Sequence, residues 1–122
     1  MKKILYIEDN TDTADAVKII LENAGFGVEL TYTGEEGIGK AKAAKFDLII
    51  IDIMLPDISG WTTLQMLKEK NIKSKFAFIS AIPLPQKEMA KLRQEGVLDY
   101  IEKPFENADL IARVKRILMV AG

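Results

Sequence analysis

The chain has 122 residues, no cysteine, no histidine and a formal net charge of −1. This length is typical of one domain, which we predict over residues 1–122, and 48% hydrophobic residues are enough for a substantial core. The composition excludes disulfides, thiolate chemistry and every site built on histidine, and the small net charge provides no general attraction to nucleic acid.

Short apolar runs alternate with helical patterns along the first half of the chain. Residues 4–7 predict a strand, and Thr11 or Asp12 can cap the helix that follows it. Residues 27–32 predict a second strand, and residues 35–43 predict a second helix that two glycines weaken.

The strongest strand signal is at residues 47–52, where four consecutive aliphatic residues lie between two acids. Such a run indicates a central strand that is covered on both faces, as in a parallel sheet. Two further strands are predicted at residues 76–79 and 98–101, each followed by a helix, and the last helix begins at Glu106 or Asn107. The apolar positions of the helices in this half are Trp61, Leu64, Leu67, Met89, Leu92, Leu110, Val114, Ile117 and Leu118.

Five strands and five helices in strict alternation predict an α/β fold with right-handed crossovers between parallel strands. We expect a single doubly wound, flavodoxin-like sheet in the order 2-1-3-4-5, with helices on both faces. In this architecture the functional site lies at the carboxyl ends of the strands.

Polar residues follow four of the predicted strands. Glu8 and Asp9 follow the first strand, and Asp52 ends the third. Ser80 follows the fourth strand, and Lys103 comes shortly after the fifth. Three carboxylates about 5 Å apart repel by about 10 kcal/mol in total at an effective dielectric constant of 20. They must therefore hold protons or bind a cation, and oxygen ligands favour Mg²⁺ or Mn²⁺.

The charges of this predicted site suit a phosphoryl group. With a divalent metal and Lys103, the three carboxylates give a formal sum of zero. If Asp52 becomes an acyl phosphate, the sum falls only to about −1. Taken singly, each residue has an ordinary explanation as a helix cap, a turn hydroxyl or a solvated lysine. Their convergence on one edge favours the functional interpretation.

Four motifs resemble the response-regulator receiver domain, and the resemblance covers essentially the whole chain. They are YIEDN, DLIIIDIMLPDISG, FISA and DYIEKPF. The resemblance implies that Asp52 is the phosphorylated residue, in phosphorelay signal transduction. It also implies that Glu8 and Asp9 hold Mg²⁺ together with Asp52 and the backbone carbonyl of Met54, and that Lys103 contacts the phosphoryl group.

The resemblance further implies a switch. Ser80 would hydrogen-bond the phosphoryl group, and Tyr100 would change position when Ser80 moves, altering the face made by helix 4, strand 5 and helix 5. The phosphoryl donor would be a histidine kinase, a phosphotransfer protein or a small molecule, and a downstream protein would bind the switched face. We expect no enzymatic activity beyond the domain's own phosphorylation and dephosphorylation, no direct nucleic-acid or membrane contact, and a cytoplasmic location.

The sequence leaves alternatives open. A receiver-like interaction domain that is never phosphorylated would have the same fold. A flavodoxin-like cofactor module would need hydrogen-bond donors to the flavin phosphate after the first strand, where this chain has Glu8 and Asp9. A dehalogenase-type phosphatase would need a second acid at Met54. The chain is either a separate regulator or one part of a longer protein.

Overall fold

The computed structural model describes residues 1–120, which form a five-stranded parallel sheet in the predicted order β2-β1-β3-β4-β5. The last two residues of the predicted domain 1–122 lie outside the described residues. The strands are β1 (Lys3–Ile7), β2 (Gly27–Thr31), β3 (Leu48–Ile51), β4 (Lys75–Ser80) and β5 (Val97–Glu102). The helices are α1 (Thr11–Asn23), α2 (Gly34–Ala43), α3 (Gly60–Glu69), α4 (Gln86–Gln94) and α5 (Asn107–Leu118). In this part of the chain no helix has the length and apolarity needed to cross a bilayer.

The sheet has an apolar layer on each face, because successive strand residues point in opposite directions. Leu5 and Ile7 of β1 pack on the side covered by α2, α3 and α4. Ile4 and Tyr6 pack on the other side, against α1 and α5. All four residues of β3 are fully buried, which confirms the central strand predicted from the aliphatic run.

The cap of α1 differs from the prediction. Asn10 caps this helix, and its Oδ1 accepts a hydrogen bond from the Thr13 N–H at 2.9 Å. The assignment of the cap to Thr11 or Asp12 was therefore wrong. Three consecutive residues here are good cap formers, and only the extended backbone of Asn10 selects it.

The ladder between β4 and β5 contains a one-residue irregularity. Val97 pairs with Phe76, whereas Asp99 pairs with Ala77, so β5 accommodates one residue more than β4. Beyond this point the pairing is regular. As a result, Val97 and Tyr100 lie in the same apolar layer although they are three positions apart.

Candidate functional site

Three carboxylates meet at the carboxyl-end edge of the sheet. Glu8 and Asp9 follow β1, and Asp52 follows the neighbouring strand β3. One oxygen from each carboxylate lies within 4.8 Å of the others. Glu8 and Asp52 are buried and Asp9 is exposed, so the cluster is open to solvent on one side. The parallel register of β1 and β3 therefore brings the predicted acids together.

Lys103 completes the cluster. Its Nζ lies 2.5 Å from Glu8 Oε1 and 3.0 Å from Asp52 Oδ2. Burial alone would lower the pKa of Lys103, but hydrogen bonds to the two carboxylates and their charges raise it above its usual value. The Lys103 side chain is therefore a charged ammonium that connects Glu8, after β1, with Asp52, after β3. Its main-chain N–H also donates to the Ser80 carbonyl at 2.8 Å.

Glu8 is held by donors on both of its oxygens. The buried Tyr6 hydroxyl donates to Oε1 at 2.9 Å, and the Asn10 N–H donates to Oε2 at 3.2 Å. Burial, followed by the charge of Glu8, raises the pKa of Tyr6, so this hydroxyl stays protonated. Our sequence reasoning missed Tyr6. The available signal was its position two residues before Glu8, which places both side chains on one face of an extended chain.

The main chain after Asp52 turns sharply into α3. The Met54 N–H donates to Asp52 Oδ1 at 3.1 Å, and the Gly60 N–H donates to the Ile53 carbonyl at 2.8 Å. A Cβ at Gly60 would lie 2.4 Å from the Asp52 carbonyl oxygen. Glycine is therefore required for α3 to begin this close to Asp52. The role of the Met54 carbonyl as a metal ligand stays a prediction.

Ser80 and Tyr100 both contact the loop between β4 and α4. The fully buried Ser80 accepts a hydrogen bond through Oγ from the Ile82 N–H at 3.1 Å. The buried Tyr100 donates its hydroxyl proton to the Ile82 carbonyl. The structure thus brings the carboxylates and the ammonium together, while the Ser80 hydroxyl is hydrogen-bonded to this loop and not to Asp52.

A row of aromatic rings extends from the start of α3 to Tyr100. The ring centroids of Trp61 and Phe78 are 4.8 Å apart, and those of Phe78 and Tyr100 are 6.1 Å apart. Trp61 contacts Phe78 at one end of this row and is 36% exposed. Its fluorescence is consequently a local probe of this edge of the sheet.

The donor set fits a divalent cation. The carboxylates supply three negative charges and Lys103 supplies one positive charge, so the cluster as it stands carries a formal charge of −2. Hard oxygen ligands of this kind suit Mg²⁺ or Mn²⁺. The exposed Asp9 is the acid most accessible to an ion from solvent.

Comparisons with known proteins point to one family. The family model of the response regulator receiver domain matches residues 4–115. The transcriptional regulatory protein CusR of Escherichia coli (strain K12) is 37% identical over 116 residues, which make up 95% of this chain and 51% of CusR. The chain spans about half the length of the curated relatives that it matches.

Solved structures give the same result. A CheY-like response regulator receiver domain protein from Methanospirillum hungatei JF-1 has a TM-score of 0.86 and 30% identity, covering 97% of this chain and 94% of that chain. The response regulator TrrA of Thermotoga maritima, solved in complex with Mg²⁺-BeF, has a TM-score of 0.82 and 26% identity, covering 96% and 99%.

Proposed function

Because this chain belongs to the response regulator receiver domain family, we propose that Asp52 accepts a phosphoryl group in two-component signalling. The observation that carries the proposal is one cluster, in which the buried carboxylate of Asp52 lies 3.0 Å from a lysine ammonium and beside two further acids. An aspartate that served only as a helix cap or turn residue at a strand end would require neither the ammonium nor the two further acids beside it.

The proposed step is a displacement at phosphorus. A carboxylate oxygen of Asp52 forms a bond to phosphorus, and the bond from phosphorus to the donor's nitrogen or oxygen breaks. The donor leaves as a neutral imidazole after protonation, or as acetate when the donor is acetyl phosphate. Lys103 offsets the negative charge of the transferred group, because its ammonium already contacts Asp52.

We propose Mg²⁺, or Mn²⁺, as the cofactor. Asp9, Asp52 and the Met54 carbonyl would hold the ion directly, and Glu8 would act through water because donors already occupy both of its oxygens. A bound divalent ion would neutralise charge on the transferring phosphoryl group. The complex of TrrA with Mg²⁺-BeF supports this assignment.

The partners follow from the same proposal. A histidine kinase or a phosphotransfer protein supplies the phosphoryl group in the cytoplasm, and a downstream protein binds the phosphorylated form. The domain acts as a switch and catalyses only its own phosphorylation and dephosphorylation. Curated relatives such as CusR and DltR are transcriptional regulatory proteins, so we propose control of transcription as the downstream event.

The output face consists of α4, β5 and α5. On it, Arg113 forms ion pairs with Asp99 at 3.4 Å and Asp109 at 3.2 Å. Tyr100 connects this face to the β4–α4 loop through Ile82. If Ser80 moves its hydroxyl to donate to the phosphoryl group, Oγ leaves the Ile82 N–H and the loop loses one of its hydrogen bonds. Differential bonding of about 1.5–3 kcal/mol shifts such an equilibrium roughly ten- to hundred-fold.

Intact-mass measurement with and without acetyl phosphate and Mg²⁺ tests the proposal. The unaltered protein should gain one phosphoryl unit, and Asp52→Asn should gain none. Asp47→Asn is a matched control, because Asp47 flanks the other end of β3, and this variant should be labelled normally. Equal labelling of Asp52→Asn, or no labelling of the unaltered protein, would contradict the proposal; the second result would favour a receiver-like interaction domain.

A further inference from the structure

One side chain links the loop after β3 to the start of α2, and the proposed phosphoryl chemistry does not use it. Asp57 Oδ1 accepts a hydrogen bond from the Gly34 N–H, and Oδ2 accepts one from the Glu35 N–H, both at 2.9 Å. These are the first two amides of α2, which have no partner within the helix. The third, that of Glu36, donates to Thr33 Oγ1 at 3.1 Å. Both capping residues are thus needed to satisfy the helix start.

The surrounding packing keeps the loop and α2 in close contact. A Cβ at Gly34 would lie 2.4 Å from Ile58 Cγ1 and 2.6 Å from Thr63 Oγ1. Only glycine allows the loop and α3 to approach α2 this closely. The far end of the loop is closed by the Gly60 N–H bond to the Ile53 carbonyl. The loop is therefore anchored at both of its ends and at Asp57.

The Asp57 carboxylate is ionised across the neutral pH range. Burial by itself would raise the pKa of Asp57, but the main-chain hydrogen bonds from Glu35 and Gly34 lower it below its usual value. A negative charge at the N-terminus of a helix also interacts favourably with the helix dipole.

We propose that Asp57 is a positioning residue for the metal site. Only Leu55 and Pro56 separate it from Met54, and proline fixes the backbone between them. The anchored main chain at Met54 holds Asp52 through its N–H. It also carries the carbonyl assigned to the ion, and in this respect the inference rests on the proposed function. Asp57 thereby sets the geometry of two ligands that it does not touch.

The test is a titration with Mg²⁺ in the absence of any phosphoryl donor, in which Trp61 fluorescence reports binding. We expect Asp57→Asn to raise the half-saturating Mg²⁺ concentration by roughly tenfold, the low end of the effect of losing an outer partner of a metal site. Asp57→Ala, which removes both acceptors, should raise it at least as much. Thr33→Ala weakens the same helix start without touching the loop, so it should stay within about twofold of the unaltered protein. Asp9→Ala serves as the reference for lost binding.

The outcomes separate positioning from a general loss of structure. Thermal unfolding of each variant shows that it is folded at the titration temperature. A shift in the Asp57 variants without a shift in Thr33→Ala supports the proposal. Unchanged Mg²⁺ binding in both Asp57 variants, or an equal shift in Thr33→Ala, overturns it. Because the titration contains no donor, it reports on Asp57 even if the unaltered protein proves not to be phosphorylated.

Discussion

The hydroxyl of Tyr100 donates a hydrogen bond to the carbonyl of Ile82, the residue whose N–H is bound by Ser80. One loop residue therefore connects the end of β4 with the body of β5. Burial raises the pKa of Tyr100, so the hydroxyl is a donor throughout the neutral range. The position of the ring and the position of the loop are coupled through this one residue.

Tyr100→Phe removes this hydrogen bond while retaining the ring. We expect a loss of about 1 kcal/mol in the free energy of unfolding, the usual net value of one bond, measured by urea denaturation. Tyr32→Phe is the control, because Tyr32 is exposed and its change should stay within about 0.5 kcal/mol. Equal stability of the two variants would show that the bond to Ile82 contributes nothing.

Lys103→Met should destabilise the protein strongly at neutral pH in the absence of divalent ions. The change leaves two buried carboxylates without their cation, at a cost of about 2–3 kcal/mol. This is less than for a fully buried pair, because the lysine side chain is 22% exposed. Lys40→Met is the matched control: it breaks only the exposed pair with Glu29, which is worth less than about 1 kcal/mol.

The same variant gives a pH signature. The pKa of Lys103 in the folded protein lies above its ordinary value of 10.5. Its contribution to stability is therefore complete below the unfolded pKa and is lost as the pH rises through the folded pKa. The difference in unfolding free energy between the unaltered protein and Lys103→Met should stay constant up to about pH 10 and shrink above it. A difference that grows with alkaline pH would contradict the assigned ion pairs.

Two glycine-to-alanine changes should have opposite signs. At Gly60 the new methyl group meets the Asp52 carbonyl at 2.4 Å, so the main chain must shift, and we expect a loss of about 1–3 kcal/mol. At Gly39, inside α2, no atom lies within 4 Å of the new methyl group, and helix propensity should add about 1 kcal/mol. Thermal unfolding measures both, and a neutral Gly60→Ala would show that the close approach is not required.

Sequence reasoning reached the alternation of strands and helices from local patterns, and it reached the sheet order and the cluster of acids from the doubly wound architecture that this alternation indicates. The aliphatic run of β3 predicts a buried central strand. In a parallel sheet the carboxyl ends of the strands lie at a common edge, so the residues that follow the strands come together there. The contact between Asp57 and Gly34 was out of reach, since the two residues are 23 positions apart and neither has a distinctive pattern. The partner of Ser80 was equally hidden, because a serine hydroxyl can accept from a loop amide or donate to an oxygen, and only the loop conformation shows that Oγ accepts from Ile82.

The extra residue in β5 determines which side of the sheet receives the tyrosine. Side chains alternate along a strand, so regular pairing of the same sequence from Val97 onward would place Tyr100 opposite Ile79, turn its ring toward α1 and α5, and bring Ile101 to the face that Tyr100 now occupies. An isoleucine has no proton to offer a carbonyl. The proposed coupling between the acidic edge and the face made by α4, β5 and α5 therefore depends on a break in strand pairing as much as on the chemistry of any side chain.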